Sequence, residues 1–317
     1  MKWMPFAVVA AVSALTSAQA STPNDIMRRI QNPDGGLIVV AHRGCHEPAP
    51  YHGLGAAPEN SVTALRHCIE MGVDVMETDV HKSRDGYLVM IHDDTVDRTT
   101  DGHGEVSQLS LAQLKALRLR QNEGGAKAPV TTDTMLTLDE ILALAKGHIV
   151  LNLDVKDMIY GEVVDAVERA HAQEWVIVKT YGGEGSVPLA SIPPYNRVPF
   201  MVITASADGL GADIPDVITK QMAGPTKPIG FEMPYIPHAA LPPIADRAKA
   251  VGKRLWANTL DSGFIVGAGG DIDALRNPDA VWGQLYREGI SMMQTDDPEA
   301  MLRFRDANSY MRGPAAK

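Results

Sequence analysis

The stretch Val73-Asp-Val-Met-Glu77-Thr-Asp79-Val80-His-Lys82-Ser-Arg-Asp-Gly86-Tyr87-Leu-Val-Met-Ile91-His92-Asp93 holds two apolar runs with only Lys82–Gly86 between them. Parallel strands need a crossover of a dozen or more residues, so the second run cannot lie parallel beside the first. Asp85-Gly86 is a tight-turn dipeptide, and it predicts a hairpin arm that folds back antiparallel and sets His92 roughly opposite Asp79. Residues two apart in a strand share a face, so Glu77 and Asp79 project together.

Working outward, the same kind of apolar run recurs with longer, amphipathic connections. The runs are Leu37–Ala41, Val73–Glu77, Ile149–Leu153, Trp175–Val178, Val198–Ile203, Ile229–Met233, Arg254–Asn258 and Ile290–Gln294. Helices are predicted at Ser61–Met71, Thr137–Lys146, Gly161–Gln173, Ala239–Val251 and Ala274–Glu288. In the first, Val62, Leu65 and Ile69 repeat at helical spacing behind a capping Asn60 or Ser61. Gly182–Pro194 and Ala205–Pro215 read as loops. Eight strands, each followed by a helix or long connection, predict an α/β TIM (β/α)8 barrel with a β-hairpin extension at its catalytic face. No repeat or low-complexity linker marks a domain boundary.

The N-terminus reads differently. Lys2 precedes an apolar run, Phe6–Leu15, too short to span a bilayer, and Ala18-Gln19-Ala20 has the small-x-small form of a signal-peptidase site. Residues 1–20 are therefore expected to be a signal peptide and residues 21–317 the barrel domain of an exported protein, periplasmic or secreted, with no integral membrane segment after signal removal. Export permits a bridge between the two cysteines, Cys45 in a loop and Cys68 on the following helix; the sequence leaves that pairing open. With 29 Lys and Arg against 39 Asp and Glu, the net charge is −10. That balance argues against a nucleic-acid partner, whose footprint is a basic patch.

Functional groups of such barrels sit at the C-terminal strand ends. These positions hold His42-Arg43-Gly44, Glu77 and Asp79, His92-Asp93, and Asp154 with Lys156. Three inward carboxylates on neighbouring strands repel one another unless a cation neutralises them. All-oxygen ligands favour Ca²⁺ or Mg²⁺ over Zn²⁺; ion pairing to Arg43 and Lys156 without a metal is the alternative. His42 and His92 sit beside these carboxylates as a candidate acid–base pair. The other histidines, His46 included, carry no such signal. Arg43 and Lys156 suit an anionic, phosphate-like substrate.

His42-Arg43-Gly44, Pro58-Glu59-Asn60-Ser61, Glu77-Thr-Asp79-Val80, Asp85-Gly86, His92-Asp93, Leu151–Lys156, Leu255–Asn258 and Gln294–Pro298 together closely resemble the glycerophosphodiester phosphodiesterase family. The resemblance implies a TIM barrel that hydrolyses small-molecule glycerophosphodiesters to glycerol 3-phosphate and an alcohol. It implies catalytic His42 and His92, metal ligands Glu77, Asp79 and Asp154, and phosphate contacts from Arg43 and Lys156. Asp154 stands where many members have Glu. Glu59 is expected either to hold Arg43 or to approach the metal, and Trp256 to form an apolar substrate wall or, alternatively, to be a buried core residue. The Cys45–Ala57 loop is long for the family and is expected to overhang the site and shape the leaving-group pocket. Two other readings stay open: a related lipid phosphodiesterase, lysophospholipase D-like or phosphoinositide-cleaving, and a non-catalytic phosphate-ester-binding protein.

Overall fold

A computed structural model describes residues 21–233 and 235–313; the signal-peptide reading of residues 1–20 lies outside them. The strands are β1 (Ile38–Ala41), β2 (Val75–Lys82), β3 (Leu88–Met90), β4 (Val150–Val155), β5 (Val176–Gly182), β6 (Phe200–Thr204), β7 (Gly230–Glu232), β8 (Ile236–Pro237), β9 (Arg254–Asn258), β10 (Ile265–Val266) and β11 (Ile290–Thr295). Eight of them run parallel in the order β1-β11-β9-β7-β6-β5-β4-β2, and pairing of β1 with β2 closes the barrel. β3 is the hairpin arm, antiparallel to β2 with Val80 opposite Met90. That register sets Ile91 against Asp79, one residue before the His92 expected there, and the Ile91 N–H donates to the Asp79 carbonyl at 3.1 Å.

The helices are α1 (Pro23–Gln31), α2 (Val62–Met71), α3 (Leu111–Ala116), α4 (Leu138–Ala145), α5 (Tyr160–Arg169), α6 (Ile214–Gln221), α7 (Leu241–Ala250), α8 (Asp271–Arg276), α9 (Gln284–Arg287) and α10 (Pro298–Ala307). Ser61 caps α2 by accepting from the Ala64 N–H, and Gly72 ends it in the left-handed conformation. The helix expected over Ala274–Glu288 is broken into α8, a π-helical turn over Asp279–Gly283, and α9. Pro278 explains the break, since a proline has no N–H to continue the ladder. The Ala205–Pro215 loop ends two residues early, because Pro215 sits in the first turn of α6, where its missing N–H costs nothing.

Period-two alternation sorts the barrel interior into layers. Ile38, Val40, Val75, Val150, Ile177, Met201, Ile229, Trp256 and Met292 form one buried apolar cluster, and α1 adds Ile26, Met27 and Ile30 to it. Two residues further along the same strands the inward positions become Glu77, Asn152, Lys179, Ile203, Asn258 and Gln294. The floor of the barrel is thus apolar and its mouth polar. The outer faces of the strands pack into a second cluster with the surrounding helices.

α1 is held by buried charge. Asp74 is 3% exposed; it accepts from Arg29 at 2.6 Å, Arg305 at 2.8 Å and the Val39 N–H at 2.9 Å. Breaking a buried pair by removing one partner typically costs about 3–5 kcal/mol, because the other charge is left uncompensated. We therefore expect Asp74→Ala to lower unfolding free energy by about that amount in a denaturant titration. A loss below about 1 kcal/mol, the range of exposed pairs, would show that the clamp is not needed.

Candidate active site

Glu77 and Asp79 rise from β2, and Asp154 stands beside Asp79 in the register of β2 with β4. Glu77 and Asp79 are 2% and 1% exposed. One oxygen from each of the three lies within 4.8 Å of the others. Lys156 bridges two of them, 2.9 Å from Asp79 and 3.0 Å from Asp154. Arg43 approaches Asp79 only to 3.8 Å, because its guanidinium is engaged by Glu59 at 3.0 Å. Glu77 accepts from the Arg43 backbone N–H at 2.9 Å. Burial and the neighbouring Asp79 charge push Glu77 up to about 7, only partly offset by Lys179 and His42. Asp79 is opposed by burial too, but Lys156, His92 and Arg43 hold it well below the usual carboxylate range. The ion-pair alternative thus accounts for Asp79 and Asp154 and leaves Glu77 without a partner charge. An all-oxygen set with one under-neutralised, buried member fits a hard divalent cation.

The backbone is bent to make this set. Arg43 has φ 51°, and Gly44 follows at φ 85°. A Cβ on Gly44 would meet the Met76 methyl at 2.8 Å and the Ala64 Cβ at 2.9 Å. Asn60 also sits in the left-handed region, which Asn tolerates better than most residues, at φ 55°. From there its amide donates to Asp79 at 2.9 Å and accepts from the Thr78 hydroxyl at 2.6 Å.

Each histidine is oriented by a carboxylate. His42 Nδ1 meets Asp296 at 2.8 Å, and His92 Nδ1 meets Asp93 at 2.8 Å. Burial opposes the charged form of His42, but the Asp296 hydrogen bond and the Glu77 charge outweigh it, so His42 lies above its ordinary value. Glu59, 3% exposed, holds Arg43 and also Arg98, whose two nitrogens reach it at 2.9 Å each. Arg98 in turn donates twice to Asp93 at 2.7 Å. Glu59 therefore supports Arg43 and does not belong to the three-carboxylate cluster.

His42, Arg43, Glu77, Asp79, His92, Asp154, Lys156 and Asp296 line a cleft of about 550 Å³ that also includes Lys179, Glu232, Asn258, Tyr181, Tyr235 and Phe264. Two expectations are corrected here. Trp256 is wholly buried one layer below the cleft, donating to Asn258 at 3.0 Å, with the Lys179 ammonium 4.8 Å from its ring centroid. Its inward strand position belongs to the apolar floor, so it supports Lys179 and forms no wall. No side chain of the Cys45–Ala57 loop lines the cleft either; His46 reaches a lining residue, Asp296, at 3.1 Å. Glu47–Tyr51 face a separate groove against α8 and α10, and a Cys45–Cys68 disulfide, Cα atoms 5.2 Å apart, ties the loop to α2. The aromatic side of the cleft comes instead from the far strands. Tyr235 stacks on Phe264 at 4.4 Å, and β8 and β10 pair beneath them.

Sequence reasoning missed several members. Lys179 and Glu232, paired at 2.9 Å, are charges at inward positions of buried strands, a signal that strand parity carries. Asp296 lies in the quoted Gln294–Pro298 segment. Arg98 and His46 come from loops without periodicity, and nothing local marks them.

The fold and site define a TIM-barrel enzyme class with a carboxylate and histidine centre. Residues 42–183 match the model of the glycerophosphoryl diester phosphodiesterase family, and residues 200–305 match a model described as a domain of unknown function. A glycerophosphodiester phosphodiesterase of Caldanaerobacter subterraneus is 23% identical, covering 84% of this chain and 96% of that protein. Glycerophosphodiester phosphodiesterase 1 of Bos taurus is 31% identical over 48% of this chain and 43% of its own. Among solved structures, a glycerophosphoryl diester phosphodiesterase of Parabacteroides distasonis superposes with TM-score 0.68 at 20% identity, covering 94% of this chain and 95% of that one. An Oleispira antarctica phosphodiesterase, in complex with the product sn-glycerol-3-phosphate, gives TM-score 0.58 at 20% identity over 86% and 97%. The family-model match over residues 42–183 and the full-length similarity to the Caldanaerobacter enzyme support placing the chain with the glycerophosphodiester phosphodiesterases.

The His42–Asp296 pair has a measurable signature. The folded value of His42 lies above its ordinary 6.5. The stability it adds is therefore fully present below the unfolded value and is lost as pH rises through the folded one. An NMR titration of His42 is expected to show a midpoint above 6.5 that falls in Asp296→Asn. A midpoint unchanged by that substitution would contradict the coupling.

Proposed function

We propose that this protein is an exported, divalent-metal-dependent hydrolase that converts glycerophosphodiesters to glycerol 3-phosphate and an alcohol. The observation that carries the reading is the convergence, in one cleft, of two carboxylate-oriented histidines, three clustered carboxylates, and the cations Arg43 and Lys156. A binding protein needs no acid–base pair, which argues against the non-catalytic alternative. Glu77, Asp79 and Asp154 would hold the metal, Ca²⁺ or Mg²⁺. Such an ion would supply Lewis-acid stabilisation of the negative charge that develops on the phosphate.

The chain's own residues then do the rest. Arg43, fixed by Glu59, and Lys156 draw the phosphate toward the carboxylates. One histidine takes the proton of the attacking oxygen as its bond to phosphorus forms. The other gives a proton to the alcohol oxygen as its bond to phosphorus breaks. The attacking oxygen is water, or the glycerol 2-hydroxyl with a cyclic phosphate formed first. Asp296 and Asp93 hold the two rings by Nδ1 and leave each Nε2 free for this work.

Release of glycerol 3-phosphate from glycerophosphodiesters tests the reading. Exhaustive chelation is expected to abolish it, and Ca²⁺ or Mg²⁺ to restore it; full activity in metal-free protein would overturn the metal assignment. His42→Ala and His92→Ala are each expected to lose about 10²–10⁴-fold on the natural diester. One of them, the acid, should be rescued selectively on a p-nitrophenyl diester, whose leaving group departs unprotonated. Near-normal turnover of both folded variants on the natural diester would overturn the mechanism.

The cleft rim supports a second reading in the same class. Tyr181 and Tyr235 are 68% and 60% exposed beside Phe264, an apolar edge on which the alcohol part of a lipid-like diester can lie. Tyr235→Ala should then cut kcat/KM more for a lysophospholipid than for a water-soluble glycerophosphodiester. Equal loss on both substrates would leave only the water-soluble reading.

A further inference from the structure

His46 takes no part in the chemistry above, yet it is 1% exposed and packed behind the cleft against the lining residue Asp296. Its Nε2 lies 3.1 Å from Asp296 Oδ1, the same oxygen that His42 Nδ1 reaches at 2.8 Å. Two imidazole nitrogens thus converge on one carboxylate oxygen. The other nitrogen of His46, Nδ1, is buried without a hydrogen-bond partner. Leaving such a group unsatisfied typically costs about 1–3 kcal/mol. The nearest carboxylate to it is Glu47, 3.9 Å away. Glu123, half-exposed, completes a group of four: one ligand atom each from His42, His46, Glu123 and Asp296 lies within 4.8 Å of the others.

We propose that His42, His46, Glu123 and Asp296 form a second metal site, one that takes a borderline ion such as Zn²⁺ and inhibits the enzyme. The donor chemistry separates it from the carboxylate cluster. Two nitrogens and two oxygens suit four-coordinate Zn²⁺, whereas three oxygens favour the hard ions. Bond lengths of about 2.0–2.2 Å require the donors to draw together, and the exposed Glu123 side chain has room to do so. Binding through His46 Nε2 puts the ring proton on Nδ1, facing Glu47. A carboxylate behind a ligating imidazole is the usual supporting arrangement, and the part-exposed Glu47 would supply it by closing from 3.9 Å to hydrogen-bonding distance of the otherwise orphaned nitrogen. The disulfide at the adjacent Cys45 keeps His46 in place. Binding through His42 Nδ1 fixes the remaining proton on Nε2. An imidazole so held neither accepts a proton there nor gives one up readily, so His42 is silenced whether it is the acid or the base.

The test is titration of Zn²⁺ into the full-length, Mg²⁺-saturated protein by calorimetry, with turnover followed in parallel. One further equivalent should bind without displacing Mg²⁺, and turnover should fall by about the 10²–10⁴-fold that loss of a general acid or base costs. His46→Gln and Glu123→Gln should each weaken that equivalent by more than the roughly 10–100-fold typical of a supporting residue, with Mg²⁺ binding retained. Glu123 is half-exposed, so its variant keeps the test valid should His46→Gln fail to fold. The proposal is overturned if Zn²⁺ only displaces Mg²⁺, or if both variants bind the second equivalent as tightly as the parent. The calorimetric arm does not depend on the substrate, so its failure is distinct from failure of the hydrolase reading.

Discussion

Glu77, Asp79 and Asp154 crowd three negative charges into a buried space at the mouth of a barrel, and much of the surrounding structure answers that repulsion. Lys156 sits between two of the carboxylates, Arg43 approaches Asp79 to 3.8 Å from its Glu59 mount, and Asn60 donates to Asp79. Glu77 is still left short of positive charge and is pushed up to about 7 by burial and Asp79. Carboxylates are kept in such a state at a cost, and a divalent cation is the simplest partner that repays it.

The barrel makes the arrangement possible because strand alternation is rigid. The inward side chains that build an apolar floor from Val75, Val150 and Ile177 become, two residues on, Glu77, Asn152 and Lys179. The floor holds α1 from below, and the mouth receives the loops that carry Asp93, Arg98 and Asp296. The two histidines approach from β1 and from the end of the hairpin arm, each backed by its own carboxylate. Across the cleft, Tyr181, Tyr235 and Phe264 provide a different surface, apolar and exposed. One side of the site is thus built for charge and the other for whatever the diester carries.

Much of this was legible in the sequence, because it rests on period and on turn chemistry. The short Lys82–Gly86 connection forced the antiparallel arm, and the eight apolar runs became the eight barrel strands. The sequence leaves Trp256 between substrate wall and buried core because its floor position depends on the register of β9 against β11, which no local pattern states. The Cys45–Ala57 loop was misplaced for a similar reason: proximity to His42 in sequence did not reveal that Glu47–Tyr51 face α8 and α10. His46 and Arg98 act through contacts made across 250 and 39 residues of chain, at separations where sequence spacing carries no information.

The central claim is that Glu77, Asp79 and Asp154 together hold a hard divalent cation. The most direct measurement is anomalous diffraction from crystals soaked in Mn²⁺ as a substitute for Mg²⁺. The account predicts a strong peak within coordination distance of all three carboxylates, absent in Asp79→Asn crystals. A soaked crystal with no peak there at saturating Mn²⁺, and Lys156 still bridging Asp79 and Asp154, would contradict it.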